Sequence, residues 1–236
     1  MSGHSKWATT KRQKGAADAK RGALFTKLAN TITVTARHGG GDPEANFKLR
    51  LTIDLAKSAN MPKENIERAI KRGTGELAGG TIESVTYEGY GPAGIAMMID
   101  CLTDNRNRTS SAIKHLFNKY GGSMGGPNSV SWMFQQLGVI GVEALSDEFE
   151  LELIDAGVTD IKRNDDGVTI YTAPGGLQKI KELLDLKKIL IRHAEVEWVA
   201  NELKELSTEE KSTVEKFFDE LDEDQDVNNF YSNAKD

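Results

Sequence analysis

Apolar residues recur every three or four positions near the start of the chain, and this spacing predicts helices. Between Asp18 and Arg37 they fill one arc of a helical wheel, while lysines, arginines and amides fill the opposite arc. Glycines at positions 39–41, followed by Pro43, end this helix. A further helix is predicted to begin at Pro62 and to close at Gly73.

The segment between these two helices fits two patterns. From Phe47 to Leu55 the apolar residues alternate strictly, as they do in a half-buried strand. Phe47, Leu51, Leu55 and Ala59 also form a helical row with a spacing of four. The pattern alone therefore leaves both a strand and a helix open.

The character changes to mixed α/β after the glycine-rich break at 73–80. Strands are predicted over residues 81–88 and 95–102, joined by a tight turn, and a helix is predicted over 109–120. The glycines of 121–126 then predict a flexible connection to an extended segment over 129–137.

The region from 139 to 199 shows a separate pattern of predicted strands and helices. Strands are predicted at 139–142, 161–164, 168–172 and 195–199, and helices after Ser146 and from Leu177. This β-α-β-β-α-β order is ferredoxin-like. Ser207 and Glu210 form a capping box that opens another helix, and residues 227–231 form a last short strand. If these two elements complete the sheet that begins at residue 81, the ferredoxin-like unit is inserted in a discontinuous middle domain.

Charge is distributed very unevenly along the chain. Residues 1–75 hold 15 basic and 6 acidic side chains, whereas residues 76–236 hold 15 basic and 30 acidic ones. The net charge of −6 hides this division. A basic module attracts polyanions and an acidic remainder repels them, so we expect a nucleic-acid partner to contact the N-terminal end.

Twelve residues are predicted to form this contact, because lysine and arginine gain affinity by releasing phosphate counterions. An aromatic residue, Trp7, lies among them and either stacks on a base or anchors the N-terminal arm to the bundle. The alternative for the whole set is a solvated helix face. The predicted nucleic-acid-binding residues are Lys6, Trp7, Lys11, Arg12, Lys14, Lys20, Arg21, Lys27, Arg37, Arg68, Lys71 and Arg72.

A second candidate contact is the sequence Asn-Arg-Asn-Arg-Thr at the start of the middle helix. Arg106 and Arg108 could bind phosphates or an acidic partner. The alternative is that this segment caps the helix and makes ion pairs within the protein.

The sequence does not indicate a nucleotide-binding, metal-binding or catalytic site. Gly89, Gly91 and Gly94 match the dinucleotide-binding fingerprint, but Pro92 lies inside the loop and a strand follows, so a hairpin turn is favoured. The four histidines are scattered and Cys101 is the only cysteine, which predicts neither a metal site nor a disulfide. With no catalytic signature, we predict a non-enzyme without cofactor or small-molecule substrate.

The chain shows no apolar segment long enough to span a membrane, and its first residues lack the features of a signal peptide. A cytoplasmic protein with no membrane partner is therefore expected.

Four stretches of the sequence closely resemble the YebC family, whose members are described as probable transcriptional regulators and which includes a mitochondrial translational activator. They are GHSKWATTKRQKGAADAKRGALFTKL at 3–28, GGGDPEANFKLR at 39–50, YEGYGPAGIAMMI at 87–99 and DNRNRT at 104–109. The resemblance implies an α+β multidomain protein: an N-terminal three-helix bundle followed by two α/β domains, the last ferredoxin-like and inserted in the middle one. Segment 47–55 is then a helix.

We accordingly predict a basic bundle over 1–79, a discontinuous α/β domain over 80–138 and 205–236, and a ferredoxin-like domain over 139–204. The predicted function is a nucleic-acid-binding regulator of gene expression, in the first place a DNA-binding transcriptional regulator. A ribosome-associated factor that binds ribosomal RNA and a protein–protein adaptor remain alternatives. The sequence leaves the oligomeric state open.

Overall fold

The computed structural model describes residues 18–78, 80–164 and 167–235. These residues form seven helices and two four-stranded sheets, which confirms the predicted α+β class. They divide into two compact units, one of residues 134–201 and one of the residues on either side of that segment. The two units are described in turn.

The larger unit begins with three helices, α1 (Asp18–Gly39), α2 (Phe47–Ser58) and α3 (Lys63–Thr74). They pack around a common apolar core, because each helix carries apolar side chains at helical spacing on its inner face. Its buried members are Leu28, Ile32, Ala36, Leu49, Ile53, Ala56, Met61, Ile66 and Ala69.

Helix α2 resolves the ambiguous segment as the family resemblance implied. The side chain of Asn46 accepts a hydrogen bond from the backbone N–H of Leu49 and so caps the helix. Leu49, Ile53 and Ala56 are buried with helical spacing. The alternation of apolar residues here reflects a broad apolar face, not a strand.

Helix α3 ends later than predicted. Gly75, not Gly73, adopts the left-handed conformation (φ 85°) that closes the helix. Gly73 lies inside α3 against α1: a Cβ at this position would lie 2.4 Å from the carbonyl oxygen of Thr33. This glycine therefore serves the close approach of two helices, which local sequence does not reveal.

The sheet of the larger unit has the spatial order β3-β1-β2-β8. Strands β1 (Glu83–Tyr90) and β2 (Ala96–Thr103) form the predicted hairpin, and β3 (Ser123–Met124) pairs with the end of β1. Strand β8 (Val227–Ser232) pairs antiparallel with β2, with Ile99 opposite Phe230. The last strand of the chain therefore joins the sheet that β1 begins.

Two helices supply the rest of this unit's core. Helices α4 (Arg106–Lys119) and α7 (Thr208–Glu223) contribute Phe117 and Phe217, whose ring centroids lie 5.5 Å apart. The predicted capping box is confirmed, since Ser207 and Glu210 exchange hydrogen bonds at the start of α7.

The smaller unit contains, in chain order, β4 (Phe134–Val142), α5 (Asp147–Asp155), β5 (Val158–Asn164), β6 (Gly167–Thr172), α6 (Leu177–Leu186) and β7 (Ile191–Ala200). This confirms the predicted β-α-β-β-α-β order. Its strands are antiparallel, in the spatial order β5-β6-β4-β7. Ser146 caps α5 as predicted.

One prediction in this region is wrong. Residues 129–137 and 139–142 are not two extended segments, because β4 continues through Gly138. A Cβ at Gly138 would lie 2.8 Å from Cγ2 of Thr172 and 3.1 Å from Cβ of Leu177. The glycine lets α6 approach the sheet and does not break the strand. The predicted boundary between residues 138 and 139 falls within this strand.

Candidate nucleic-acid interface

The structure describes only part of the predicted contact set. Lys6, Trp7, Lys11, Arg12 and Lys14 lie outside the described residues. Lys20 and Arg21 lie in the first turn of α1. The geometry that follows therefore concerns the five remaining members.

Arg68 and Lys71 form an exposed basic pair on α3. They are three positions apart and therefore share one face of the helix. Neither side chain makes an ion pair with any described residue. On the same helix, Lys63 does pair with Glu67, with 3.5 Å between Nζ and Oε1. Arg68 and Lys71 therefore expose two positive charges to solvent.

Arg37 and Arg72 both bind the chain segment that leaves the bundle. Nη1 of Arg37 donates to the carbonyl oxygen of Ile82 at 2.9 Å, and Nη2 of Arg72 donates to that of Gly80 at 3.1 Å. Both arginines lie near the C-terminal ends of their helices, which the contact at Gly73 brings together. A guanidinium has five donors, so each of these groups keeps N–H groups beyond the one used here.

Lys27 is turned into the protein. Its side chain is only 7% exposed, and its ammonium donates to the backbone carbonyl of Asp222. One turn later, Oγ1 of Thr31 donates to Oδ1 of Asn228 at 2.8 Å. The polar arc of α1 therefore packs in part against the end of α7 and the start of β8.

Arg106 and Arg108 have partners within the protein. Oδ1 of Asn105 accepts the backbone N–H of Arg108 at 3.1 Å and caps α4. Nη2 of Arg108 lies 2.8 Å from Oδ2 of Asp226, and these hydrogen bonds raise the pKa of Arg108. Arg106 lies 3.5 Å from Glu83, measured from Nε to Oε2. The capping interpretation is confirmed.

Sequence reasoning did not include three exposed lysines of the bundle, of which Lys57 and Lys63 make ion pairs with Asp54 and Glu67. Lys48 lies in the first turn of α2 and is exposed. The implied helix at 47–58, together with the basic balance of residues 1–75, is the signal that could have found it.

The remaining motifs show no second site in the described part of the chain. The glycine-rich segment 89–94 is the turn of the β1–β2 hairpin, since Gly91 N–H donates to Ile95 O at 2.8 Å. Cys101 is fully buried in β2. Among the described residues no group of three or more His, Cys, Asp and Glu side chains is placed to hold a metal ion. No described helix is both long and apolar enough to cross a membrane.

The fold and the charge distribution together define a class: a multidomain α+β protein with a basic N-terminal helical module. Family comparison agrees with this description. Residues 5–76 match the model of the TACO1/YebC protein N-terminal domain, and residues 82–234 match that of the TACO1/YebC second and third domain. The chain belongs to the TACO1/YebC family, which confirms the resemblance seen in the sequence.

Individual relatives cover the whole chain. A probable transcriptional regulatory protein of Thermoanaerobacter pseudethanolicus is 46% identical over 100% of this chain and 97% of its own. A protein of the same description from Moorella thermoacetica is 48% identical over 99% and 95%. The crystal structure of a conserved hypothetical protein of Aquifex aeolicus matches with a TM-score of 0.80 and 43% identity, over 92% of this chain and 91% of that one.

Proposed function

We propose that this protein is a non-enzymatic regulator of gene expression that binds nucleic acid through its basic bundle. The observation that carries the proposal is that positive charge and exposure coincide: the basic region 1–75 holds Arg68 and Lys71 exposed on α3. A phosphate backbone can approach these residues without first breaking a described ion pair, and it releases counterions when it does so.

The proposed interface consists of eleven of the twelve predicted residues, in two parts. The N-terminal residues up to Arg21 supply closely spaced basic side chains, and α3 supplies the exposed pair Arg68 and Lys71. Arg37 near the end of α1 and Arg72 on α3 add the N–H groups that their backbone contacts leave over. Lys27, the twelfth, supports the fold and not the contact itself, because its ammonium is buried and binds Asp222. In this proposal the basic bundle contacts the nucleic acid, and the two acidic α/β domains contact a protein partner.

DNA is the first proposed target, since relatives that cover the full chain are named probable transcriptional regulatory proteins. A second candidate is ribosomal RNA. The basic side chains are dispersed over an arm and the ends of α1 and α3, not concentrated on one helix, and such a surface suits an irregular RNA fold.

The test is the salt dependence of binding. Fluorescence anisotropy would measure the affinity of the full chain for a labelled DNA duplex and for a labelled ribosomal RNA hairpin between 50 and about 200 mM salt, a range over which phosphate-dominated affinity falls steeply. The double variant Arg68→Gln/Lys71→Gln is expected to bind more weakly and to lower the slope of log K against log salt by about 2, since each contact adds about 0.9.

The matched control removes the same charge from the acidic part. Lys114 on α4 and Lys216 on α7 are exposed, and Lys114→Gln/Lys216→Gln should leave affinity and slope unchanged. Equal effects of the two double variants would show that only overall charge matters and would refute the interface. Wild-type protein that binds neither probe at low salt would refute nucleic-acid binding and favour a protein–protein adaptor.

A further inference from the structure

The segment that follows α4 differs in charge from the rest of the protein. Between Lys119 and Glu143 the chain contains no charged residue, although 28% of all residues are charged. Residues 76–236 as a whole hold 30 acidic side chains against 15 basic ones. This stretch therefore adds no charge of its own to a part of the protein that otherwise repels polyanions.

The first half of the stretch is held against β1 by one carboxylate. Oε1 of Glu88 accepts the backbone N–H of Asn128 at 2.9 Å, and Oε2 accepts those of Val130 and Ser131 at 3.0 and 2.9 Å. Burial of Glu88 opposes its ionisation, but these three hydrogen bonds outweigh burial and lower its pKa. The negative charge of Glu88 therefore strengthens the hydrogen bonds that hold the loop against β1.

Close backbone contacts fix the other end of the loop. A Cβ at Gly122 would lie 2.4 Å from the carbonyl oxygen of Tyr90, and one at Gly89 would lie 2.5 Å from that of Ser123. Val130, which belongs to the loop, is fully buried. The glycines of 121–126 were predicted to form a flexible connection, but the structure shows a tethered loop, because these glycines allow the chain to lie directly on β1.

This fixed loop presents a large aromatic side chain. Trp132 is 69% exposed, and its indole Nε1 donates to the carbonyl oxygen of Ser129 at 3.2 Å. That hydrogen bond orients the ring. Tyr90 is the other aromatic residue with a large exposed fraction among the described residues, and it reaches only 38%. An exposed and oriented indole on a rigid loop is typical of a contact residue.

We propose that Trp132 is a stacking platform for an unpaired base of a single-stranded nucleic acid. Every base has an aromatic face, and nucleic-acid-binding modules place such bases on aromatic side chains. The segment adds no acidic side chain of its own that would repel the phosphates on either side of the base, and the neighbouring carboxylate of Glu88 is engaged by three backbone N–H groups. This proposal rests on the proposed function, to which it adds a second contact that recognises unpaired bases.

The test compares two substitutions of the same residue. Trp132→Phe keeps an aromatic face, whereas Trp132→Leu keeps apolar bulk without one. Affinity for labelled oligouridine and oligothymidine is measured by anisotropy, with a duplex of equal length as the reference. We expect Trp132→Leu to bind the single strands about fivefold or more weakly, the effect of losing one base stack, and Trp132→Phe to bind them nearly as wild type. Affinity for the duplex should not change.

A direct readout accompanies the affinities. In a chain carrying Trp7→Phe and Trp198→Phe, Trp132 is the only tryptophan, and a stacked base should quench its fluorescence. Glu88→Gln should weaken single-strand binding in the presence of Trp132 and have no further effect in Trp132→Leu, since Glu88 acts only by holding the loop.

The outcomes separate this proposal from the proposed function. Equal single-strand affinities of Trp132→Leu and wild type, with no quenching, would overturn the stacking platform while the effect of Arg68→Gln/Lys71→Gln leaves nucleic-acid binding intact. Equal weakening of Trp132→Leu and Trp132→Phe would also overturn it. Loss of co-purifying protein without loss of oligonucleotide affinity would assign Trp132 to a protein partner instead. Wild-type protein that binds no probe would refute both proposals.

Discussion

The contact between α1 and α3 gives a sharp test of the bundle, because it depends on a single missing side chain. In Gly73→Ala the new Cβ would lie 2.4 Å from the carbonyl oxygen of Thr33 and 2.8 Å from Cβ of Ala36. Cβ atoms do not approach other heavy atoms to less than 3.0 Å, so the helices must move apart. The obstacle is backbone, which cannot rotate away as a side chain can.

The size of the effect follows from two opposing terms. Overpacking a helix contact costs about 1–3 kcal/mol, while replacing glycine by alanine in a helix gains about 1 kcal/mol. Gly22→Ala isolates the second term, since Gly22 lies in α1 with no atom within 4 Å of its added Cβ. The difference between the two variants therefore reports the steric cost alone, and we expect about 1–3 kcal/mol.

Hydrogen exchange measured by mass spectrometry is the suitable assay, because it reports the local opening free energy of peptides from α1 and α3 within the full chain. Gly22→Ala should raise protection in α1 and Gly73→Ala should lower it in both helices. Since this contact also brings Arg37 and Arg72 to the segment 80–82, Gly73→Ala should increase exchange there as well. Equal protection in the two variants would refute the close approach.

Three further predictions concern the α/β part. Burial raises the pKa of the Cys101 thiol, so it should resist an aromatic disulfide reagent at pH 8 in the native protein and react in urea; rapid native reaction would contradict its burial. Hydrogen bonds from Lys119 and Tyr120 lower the pKa of Glu220, as three backbone N–H groups lower that of Glu88. Both carboxylates therefore stabilise the fold above their unfolded pKa of about 4.3, and thermal melts should show this stability lost as pH falls through the folded values. Glu220→Gln should reduce that pH dependence. Arg108→Ala should destabilise the protein by about 1–3 kcal/mol in urea unfolding, since it removes a charged partner of the buried Asp226, without changing nucleic-acid affinity.

The elements that sequence patterns predicted are those whose cause is local. The caps at Ser146 and Ser207 each depend on residues within one helical turn, and both are found. Helix α2 could be predicted only from the family resemblance. A half-buried helix with a broad apolar face can also show the alternation of a strand over nine residues.

The contacts that sequence patterns could not reveal join distant parts of the chain. Lys27 lies on the polar arc of α1, and only its contact with Asp222, 195 positions away, shows that this arc is partly buried. Arg108 and Asp226 are 118 positions apart, and Glu88 reaches Val130 across 42. Charge counts located the basic module but could not separate cations that face solvent from those that hold the fold together.

The central claim is that the basic bundle meets nucleic acid in the cell. Crosslinking of the protein in growing cells, followed by sequencing of every DNA and RNA fragment it retains, tests this most directly. The Arg68→Glu/Lys71→Glu variant serves as the reference. We predict discrete fragments from wild type, promoter DNA for a transcriptional regulator or ribosomal RNA segments for a translation factor, and their depletion in the variant. Recovery of no fragment above the variant's background would contradict the account.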